Sequence, residues 1–304
     1  MMRALVAAPL ELRDVDAPSP RSNEVLVRMR AFSLNRGEAR AVEVAKERTI
    51  PGWDVAGVVE RAAADGSGPR EGTRVVGIVR SGAWAELVAV PVRNLAALPE
   101  DVSFEDASTL PVAGLTALRC LEIGGSLLGK HVLVTGAAGG VGRFAIQLAH
   151  RGGAHVTGVI GRPERGEGLR DLGADELVLA LDNDGPRFDL ILESVGGASL
   201  AAAFLRVAPG GTIVSFGNSS NAQTTFDVRP FFARGRAKLY GFIIFDEVDY
   251  APFAPRALSD LASMIARGEL RTEVSSVRPW REAGAAIAEL RDRNVAGKAV
   301  LRVD

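Results

Sequence analysis

The chain has very little cysteine, histidine or tyrosine. Its single thiol, Cys120, rules out an internal disulfide framework, and three histidines, His131, His150 and His155, allow no Cys/His cluster of metal-site spacing. It also lacks a charge excess. Lys and Arg total 36 against 37 Asp and Glu, so a net charge of −1 gives no general attraction to phosphate polymers or anionic lipid. Long hydrophobic runs are missing as well: no stretch approaches the roughly 18 to 20 apolar residues that cross a bilayer. The opening MMRALVAAPLELRDVDAP is interrupted by Pro9 and Glu11 before it can form a signal-peptide core. These absences point to a cytoplasmic, metal-free protein without a nucleic-acid or membrane partner.

What remains is a chain of 304 residues, 47% hydrophobic, long enough for two domains. Its first hundred residues alternate short β-rich runs, MRALVA, EVLVRMRAFSL, DVAGVVERA, TRVVGIV and AWAELVAVPV, with turn-forming PSPRSN, ADGSGPREG and SGA. That spacing predicts a small antiparallel barrel or sandwich. From about Phe104 the texture becomes helical, and then strands alternate with helices. HVLVT is a short buried strand, Val141, Phe144, Ala145, Leu148 and Ala149 share one helical face after it, and HVTGVI is the next strand. Such a unit requires parallel strands joined by a crossover. FDLILE and GTIVSFG supply two more apolar strands, followed by a helix near Pro255 to Arg267, another ending about Asp292, and a closing strand KAVLRV. The fold class is therefore α/β, a doubly wound parallel sheet beside a β-rich domain, with residues 1–107, 108–245 and 246–304 as the expected divisions and the last rejoining the first.

The glycines in HVLVTGAAGGVG have a physical purpose. In a dinucleotide site the first glycine makes the tight turn, the second lets backbone approach pyrophosphate, and the third packs helix on strand; those positions are Ala137, Gly139 and Gly142. Phosphate would sit on the unpaired amides of the helix start. About 20 residues further on, NAD sites carry a carboxylate for the ribose hydroxyls. Here GRPER places Arg162 and Arg165 instead, and a guanidinium pairs with the 2′-phosphate that a carboxylate would repel. The expected cofactor is NADP(H).

The ordered set SLNRGE, PGWDVAG, GAWAELVAVP, LPVAGLTAL, GKHVLVTGAAGGVGRFAIQLA, LGAD, ESVGG, APGGTIVSFGNSS and GKAVL resembles medium-chain dehydrogenase/reductases, in particular the zinc-independent quinone oxidoreductase branch, over nearly the whole chain. The resemblance implies a GroES-like catalytic domain, formed by the amino-terminal region and the carboxyl-terminal segment, around a Rossmann domain, with the active site between them. It implies NADPH as cofactor and a homodimer joined through the strand in YGFIIF. Asn35 then matches a polar residue facing nicotinamide and substrate, and Thr116 a threonine near the carboxamide. Gly139, Gly140, Val141 and Gly142 match the pyrophosphate turn, and Arg162 and Arg165 the 2′-phosphate positions. Val195, Phe216, Gly217, Phe242 and Ile243 match loops that wrap the cofactor.

Departures from the wider superfamily narrow the chemistry. Where zinc alcohol dehydrogenases carry a His-Glu pair, this chain has Trp53 and Asp54, and SLNRGE holds no cysteine. A catalytic zinc needs three protein ligands, so direct hydride transfer to a small electrophilic acceptor, a quinone or an α,β-unsaturated carbonyl, is expected. The cofactor supplies the chemistry, and the protein supplies orientation and hydrogen bonds to the developing oxyanion. Asn35 is the candidate donor. Asp54 is expected to satisfy backbone donors at a turn, Trp53 and Trp84 to fill the barrel core, and Cys120 to be inert packing; Tyr250 is placed either at the surface or near the site. An enoyl-thioester reductase differs only in acceptor, and a non-catalytic NADPH sensor would bind without turnover.

Overall fold

The β-rich runs of the amino-terminal region form strands because apolar and charged residues alternate along them. In the computed structural model, which describes residues 1–304, β1 (Met2–Val6) and β2 (Glu11–Val15) pair as an antiparallel ribbon. β3 (Glu24–Ser33) buries Val27, Met29 and Ala31 while Arg28 and Arg30 face solvent. It pairs antiparallel with β4 (Asp54–Arg61) on one side, and β4 in turn pairs with β5 (Arg74–Ile78). β6 (Leu87–Pro91) pairs with β3, and β7 (Leu95–Ala97) closes on β5. Two short helices, α1 (Arg36–Val44) and α2 (Phe104–Ala107), complete this stretch.

A wide π-type turn over Leu110–Gly114 leads into α3 (Leu115–Gly124), and the second unit follows. Its strands are β8 (His131–Thr135), β9 (His155–Val159), β10 (Glu176–Val178), β11 (Phe188–Glu193), β12 (Val207–Ser215) and β13 (Lys238–Gly241). All are parallel, in spatial order β10-β9-β8-β11-β12-β13. Counted from β8 this is 3-2-1-4-5-6, the doubly wound order whose direction reverses beside the first strand. β8 and β11 lie at the centre, so Val132, Leu133, Val134, Leu190, Ile191 and Leu192 are buried on both faces, the reason they read as continuous apolar runs. The crossovers contain α4 (Gly140–Arg151), α5 (Gly197–Arg206) and α6 (Val228–Ala233). α4 is buried more broadly than its predicted stripe: Phe144, Ala145 and Ala149 are inside, but so are Arg143, Ile146 and Gln147. The strand predicted in YGFIIF stops at Gly241; Phe242 and Ile243 link it to α7 (Ile244–Tyr250).

The chain then returns through α8 (Ala254–Ala266), β14 (Val274–Pro279), α9 (Ala283–Arg291) and β15 (Lys298–Arg302). β15 pairs antiparallel with β3, setting Val300 opposite Ser33 and Leu301 opposite Phe32, and β14 lies parallel to β15. The contacts divide the chain into Met1–Leu115 with Val248–Asp304, and Thr116–Glu247, placing the boundaries a few residues later than the sequence pattern does. The core of the first unit centres on Trp84 and Trp280, both fully buried, with Trp84 stacked on Phe32 at 5.6 Å between centroids. Trp53 is not a core filler: it is half-buried, with its ring against Gly37. No helix is long and apolar enough to cross a membrane.

Candidate functional site

The glycine segment follows β8 at the carboxyl edge of the parallel sheet. Gly136 adopts φ +62°, a left-handed turn that only glycine takes without strain. The tight turn therefore belongs to Gly136, one residue before the predicted position; Ala137 is instead buried, its amide donating to the Val159 carbonyl at 3.1 Å. Gly139 donates back to the Gly136 carbonyl at 2.9 Å and precedes α4 with no side chain to cap it. A Cβ on Gly142 would lie 2.6 Å from the carbonyl oxygens of both Gly136 and Ala137, so the helix start is pressed onto the turn. The first amides of a helix have no acceptor within it, and here they open on backbone alone. A row of amide donors at the positive end of a helix dipole, where the strand order reverses, fits a dinucleotide pyrophosphate.

The other predicted cofactor residues lie on loops at the same edge of the sheet. Arg162 starts the turn Pro163–Gly166 after β9, exposed, and the half-buried Arg165 donates its amide to the Arg162 carbonyl at 3.1 Å. Val195 follows β11, and Phe216 and Gly217 follow β12. These two loops are bonded together, Ser219 N to Ser194 O at 3.0 Å and Ser220 N to Val195 O at 2.9 Å. Phe242 is buried after β13, and Ile243 is exposed. Thr116 is buried in the first turn of α3. Sequence reasoning missed Glu193, a fully buried carboxylate that accepts from the amides of Val195 and Gly196 at 3.0 Å and from Ser199 Oγ at 2.9 Å, fixing the ESVGG loop. Its signal was an acid ending the apolar run LIL of the strand FDLILE.

Asn35 belongs to the first unit, at a convergence of element ends: Ser33 closes β3, Asn35 precedes α1, Asp54 opens β4 and Lys298 opens β15. Asp54 is fully buried. Its Oδ2 accepts from Ser33 Oγ and, at 2.7 Å, from Asn35 Nδ2, and its Oδ1 accepts from the Val112 amide at 2.9 Å. The predicted turn carboxylate is thus the hub of a buried network with one backbone donor. Lys298 Nζ donates to Asn35 Oδ1 at 2.7 Å and Leu34 O at 3.0 Å, and lies 3.9 Å from Asp54 Oδ2. Glu38, also buried, accepts from the amides of Asn35 at 2.7 Å and Trp53 at 2.8 Å.

This arrangement fixes the Asn35 amide chemically. An ammonium only donates, so it must face the amide oxygen, while the carboxylate faces the amide nitrogen. One N–H of Asn35 is left for another acceptor, and the residue is 9% exposed. Burial pushes the Glu38 carboxyl up to about 8, with the neighbouring Asp54 charge adding to it. Burial likewise pushes Asp54 up and Lys298 down, and each holds back part of the other's shift by its opposite charge. Glu38 and Lys298 escaped sequence reasoning, since nothing beside either in the chain marks it as buried.

Among the remaining candidates, Cys120 is fully buried, and burial pushes its thiol up, away from nucleophilic thiolate. Tyr250 is 90% exposed. Nowhere do three His, Cys, Asp or Glu side chains gather into a set able to hold a metal ion.

The sequence model of a family described as zinc-binding dehydrogenase matches residues 171–301, and that of the alcohol dehydrogenase GroES-like domain matches residues 21–100. The quinone oxidoreductase of Pseudomonas aeruginosa is 31% identical over 310 residues, covering 96% of this chain and 95% of that protein. The 2-methylene-furan-3-one reductase of Solanum lycopersicum is 32% identical over 260 residues, covering 74% of this chain and 66% of the other. The crystal structure of the Pseudomonas syringae quinone oxidoreductase superposes with a TM-score of 0.88 at 26% identity, covering 99% of this chain and 100% of that one.

Proposed function

The chain belongs to the medium-chain dehydrogenase/reductase superfamily, in its quinone oxidoreductase-like branch, and on that premise we propose that it is a zinc-independent, NADPH-dependent reductase of quinones or α,β-unsaturated carbonyls. The observation that carries the cofactor reading is the glycine-rich turn of Gly136–Gly142 at the same sheet edge as Arg162 and Arg165. When bound, NADPH supplies the hydride. The amides at the start of α4 hold its pyrophosphate, the two guanidiniums take the 2′-phosphate, and the loops bearing Val195, Phe216, Gly217, Phe242 and Ile243 enclose it, with Thr116 at the carboxamide end.

The acceptor needs a donor for the oxygen on which negative charge develops. Asn35 supplies it: Lys298 and Asp54 hold the amide in one orientation, and its remaining N–H polarises the acceptor carbonyl. Zinc-free chemistry is supported by the residues themselves, because a donor amide backed by a buried ammonium stands where a Lewis acid would otherwise be required. The enone reading is favoured by the tomato relative, whose named substrate carries a methylene conjugated to a ketone. The protein acts in the cytoplasm as a homodimer through the exposed edge strand β13, whose Leu239 is half exposed.

The test follows NADPH absorbance with small quinones, enones and enoyl thioesters, with NADH in parallel. Consumption of NADPH with a quinone or enone, and poor use of NADH, is the expected result. Turnover confined to enoyl thioesters would replace the acceptor; tight NADPH binding without turnover would make the chain a sensor; equal use of NADH would overturn the arginine argument.

A further inference from the structure

Arg143 is an unexpected residue to bury. It follows the last glycine of the turn by one position, on a side of α4 that the apolar periodicity leaves to solvent, yet it is only 6% exposed. What covers it is the segment after β9. Arg143 Nη2 donates to the Glu167 carbonyl at 3.2 Å, and Nε donates to the Ala138 carbonyl at 3.4 Å. A Cβ on Gly168 would sit 3.8 Å from Nη1, so the guanidinium lies directly beneath the Glu167–Gly168 backbone. One planar fork thus bonds two loops: the glycine turn, through Ala138, and the loop that carries Arg162 and Arg165, through Glu167. Gln147, one helical turn later and also buried, donates to the Arg143 carbonyl at 3.1 Å and backs the same face.

We infer that Arg143 is a positioning residue for cofactor selectivity: its guanidinium clamps the 162–168 loop to the glycine turn, so that Arg162 and Arg165 are held at the distance from the pyrophosphate site that a 2′-phosphate requires. The inference rests on the NADPH reading above. Arginine is needed because two carbonyls on different loops must be met by donors on one rigid plane. A lysine presents a single ammonium on a flexible stem. The clamp acts on selectivity rather than on binding in general, since the pyrophosphate amides belong to α4 itself and stay in place without it. Charge-assisted hydrogen bonds of this kind make the loop's position, not merely its presence, part of the recognition.

The test is calorimetric titration of the full chain with adenosine 2′,5′-bisphosphate and with 5′-AMP, so that no turnover is needed, for the wild type, Arg143→Met, Arg143→Lys and, as a reference, Arg165→Ala. The wild type binds the bisphosphate more tightly. In Arg143→Met this preference falls about tenfold while 5′-AMP affinity is kept, and Arg143→Lys, which retains charge and stem, also falls short of the wild-type preference. Equal weakening of both nucleotides would mark Arg143 as merely structural and overturn the inference, and so would an unchanged preference in either variant. Should Arg143→Met fail to fold, Arg143→Lys decides alone. A wild type without any preference removes the NADPH reading and this inference with it; a preference lost in Arg165→Ala but kept in both Arg143 variants removes only the clamp.

Discussion

Replacing Lys298 by methionine keeps the unbranched shape of the side chain, shortens it by one atom and removes its charge and donors. In the buried network two acceptors, Leu34 O and Asn35 Oδ1, then lose their partner, and the Asp54 carboxylate loses the cation 3.9 Å away. A buried acceptor left bare costs about 1–3 kcal/mol. Breaking a buried ion pair from one side costs about 3–5 kcal/mol, because it leaves an uncompensated charge in the interior. The expected destabilisation at neutral pH is therefore about 3–5 kcal/mol, a large share of the roughly 5–15 kcal/mol that holds a domain together. Urea unfolding followed by tryptophan fluorescence is the suitable assay, since Trp53, Trp84 and Trp280, the three tryptophans, all belong to the unit that contains Lys298. Adding Asp54→Asn to Lys298→Met should recover part of the loss by removing the orphaned charge. A loss under about 1 kcal/mol, the size of an ordinary surface substitution's upper range, or a double variant worse than the sum of the single ones, would refute the network as drawn.

The same network predicts a pH dependence. The folded Glu38 carboxyl titrates at about 8 against 4.5 in an unstructured chain, so between those values the folded state retains a proton that the unfolded state has released. Stability from this group is present below about pH 4.5 and is lost as pH rises to about 8, with a slope of at most about 1.4 kcal/mol per pH unit; Glu38→Gln should remove that part of the slope in urea titrations across this range. Gly142→Ala places a methyl against two carbonyl oxygens, so it should cost about 1–3 kcal/mol and abolish NADPH binding measured by calorimetry, while binding at wild-type affinity would show that the turn does not carry the pyrophosphate. Asn35→Leu should lower kcat/KM with 1,4-benzoquinone by about 10²-fold and leave NADPH affinity within about twofold; a loss of NADPH affinity alone would assign Asn35 to cofactor binding instead.

The glycine turn proposed to hold the cofactor was legible in the sequence because backbone builds it. A backbone site demands glycine at fixed spacing, flanked by a strand and a helix with their own periodicities, and Gly139, Gly142, HVLVT and HVTGVI carried all of that on the page. The one slip was local: Gly136, not the residue at Ala137, takes the left-handed turn, because Ala137 is needed inside, bonded to the Val159 carbonyl. YGFIIF failed for a related reason. Its apolar run looks like one strand, but Lys238–Gly241 is an edge with every residue exposed, and the burial that begins at Phe242 belongs to the link into α7.

The buried network around Asn35 was scarcely legible, and physics explains why. Ser33, Asn35, Glu38, Asp54 and Lys298 are spread over more than 260 positions of chain and meet only because β15 pairs with β3 and β4 lies on β3's other side. A charge buried by such long-range pairing has no local signature: Lys298 looks like any lysine ahead of a strand, and Asp54 like any turn acid. Turn and network should accordingly respond differently to substitution. Changes at the glycine turn act through steric contact with neighbouring backbone and affect nucleotide binding at any pH. Changes in the network act through proton and charge balance, so their cost must vary with pH, as the Glu38 titration and the charge lost at Lys298 both require. Measuring Lys298→Met and Gly142→Ala at pH 5 and pH 8 therefore separates the two mechanisms: the lysine variant should lose less at the lower pH, because without the ammonium the Asp54 carboxyl, already pushed up by burial, is pushed up further and takes up a proton more readily as pH falls, and the glycine variant should lose the same at both.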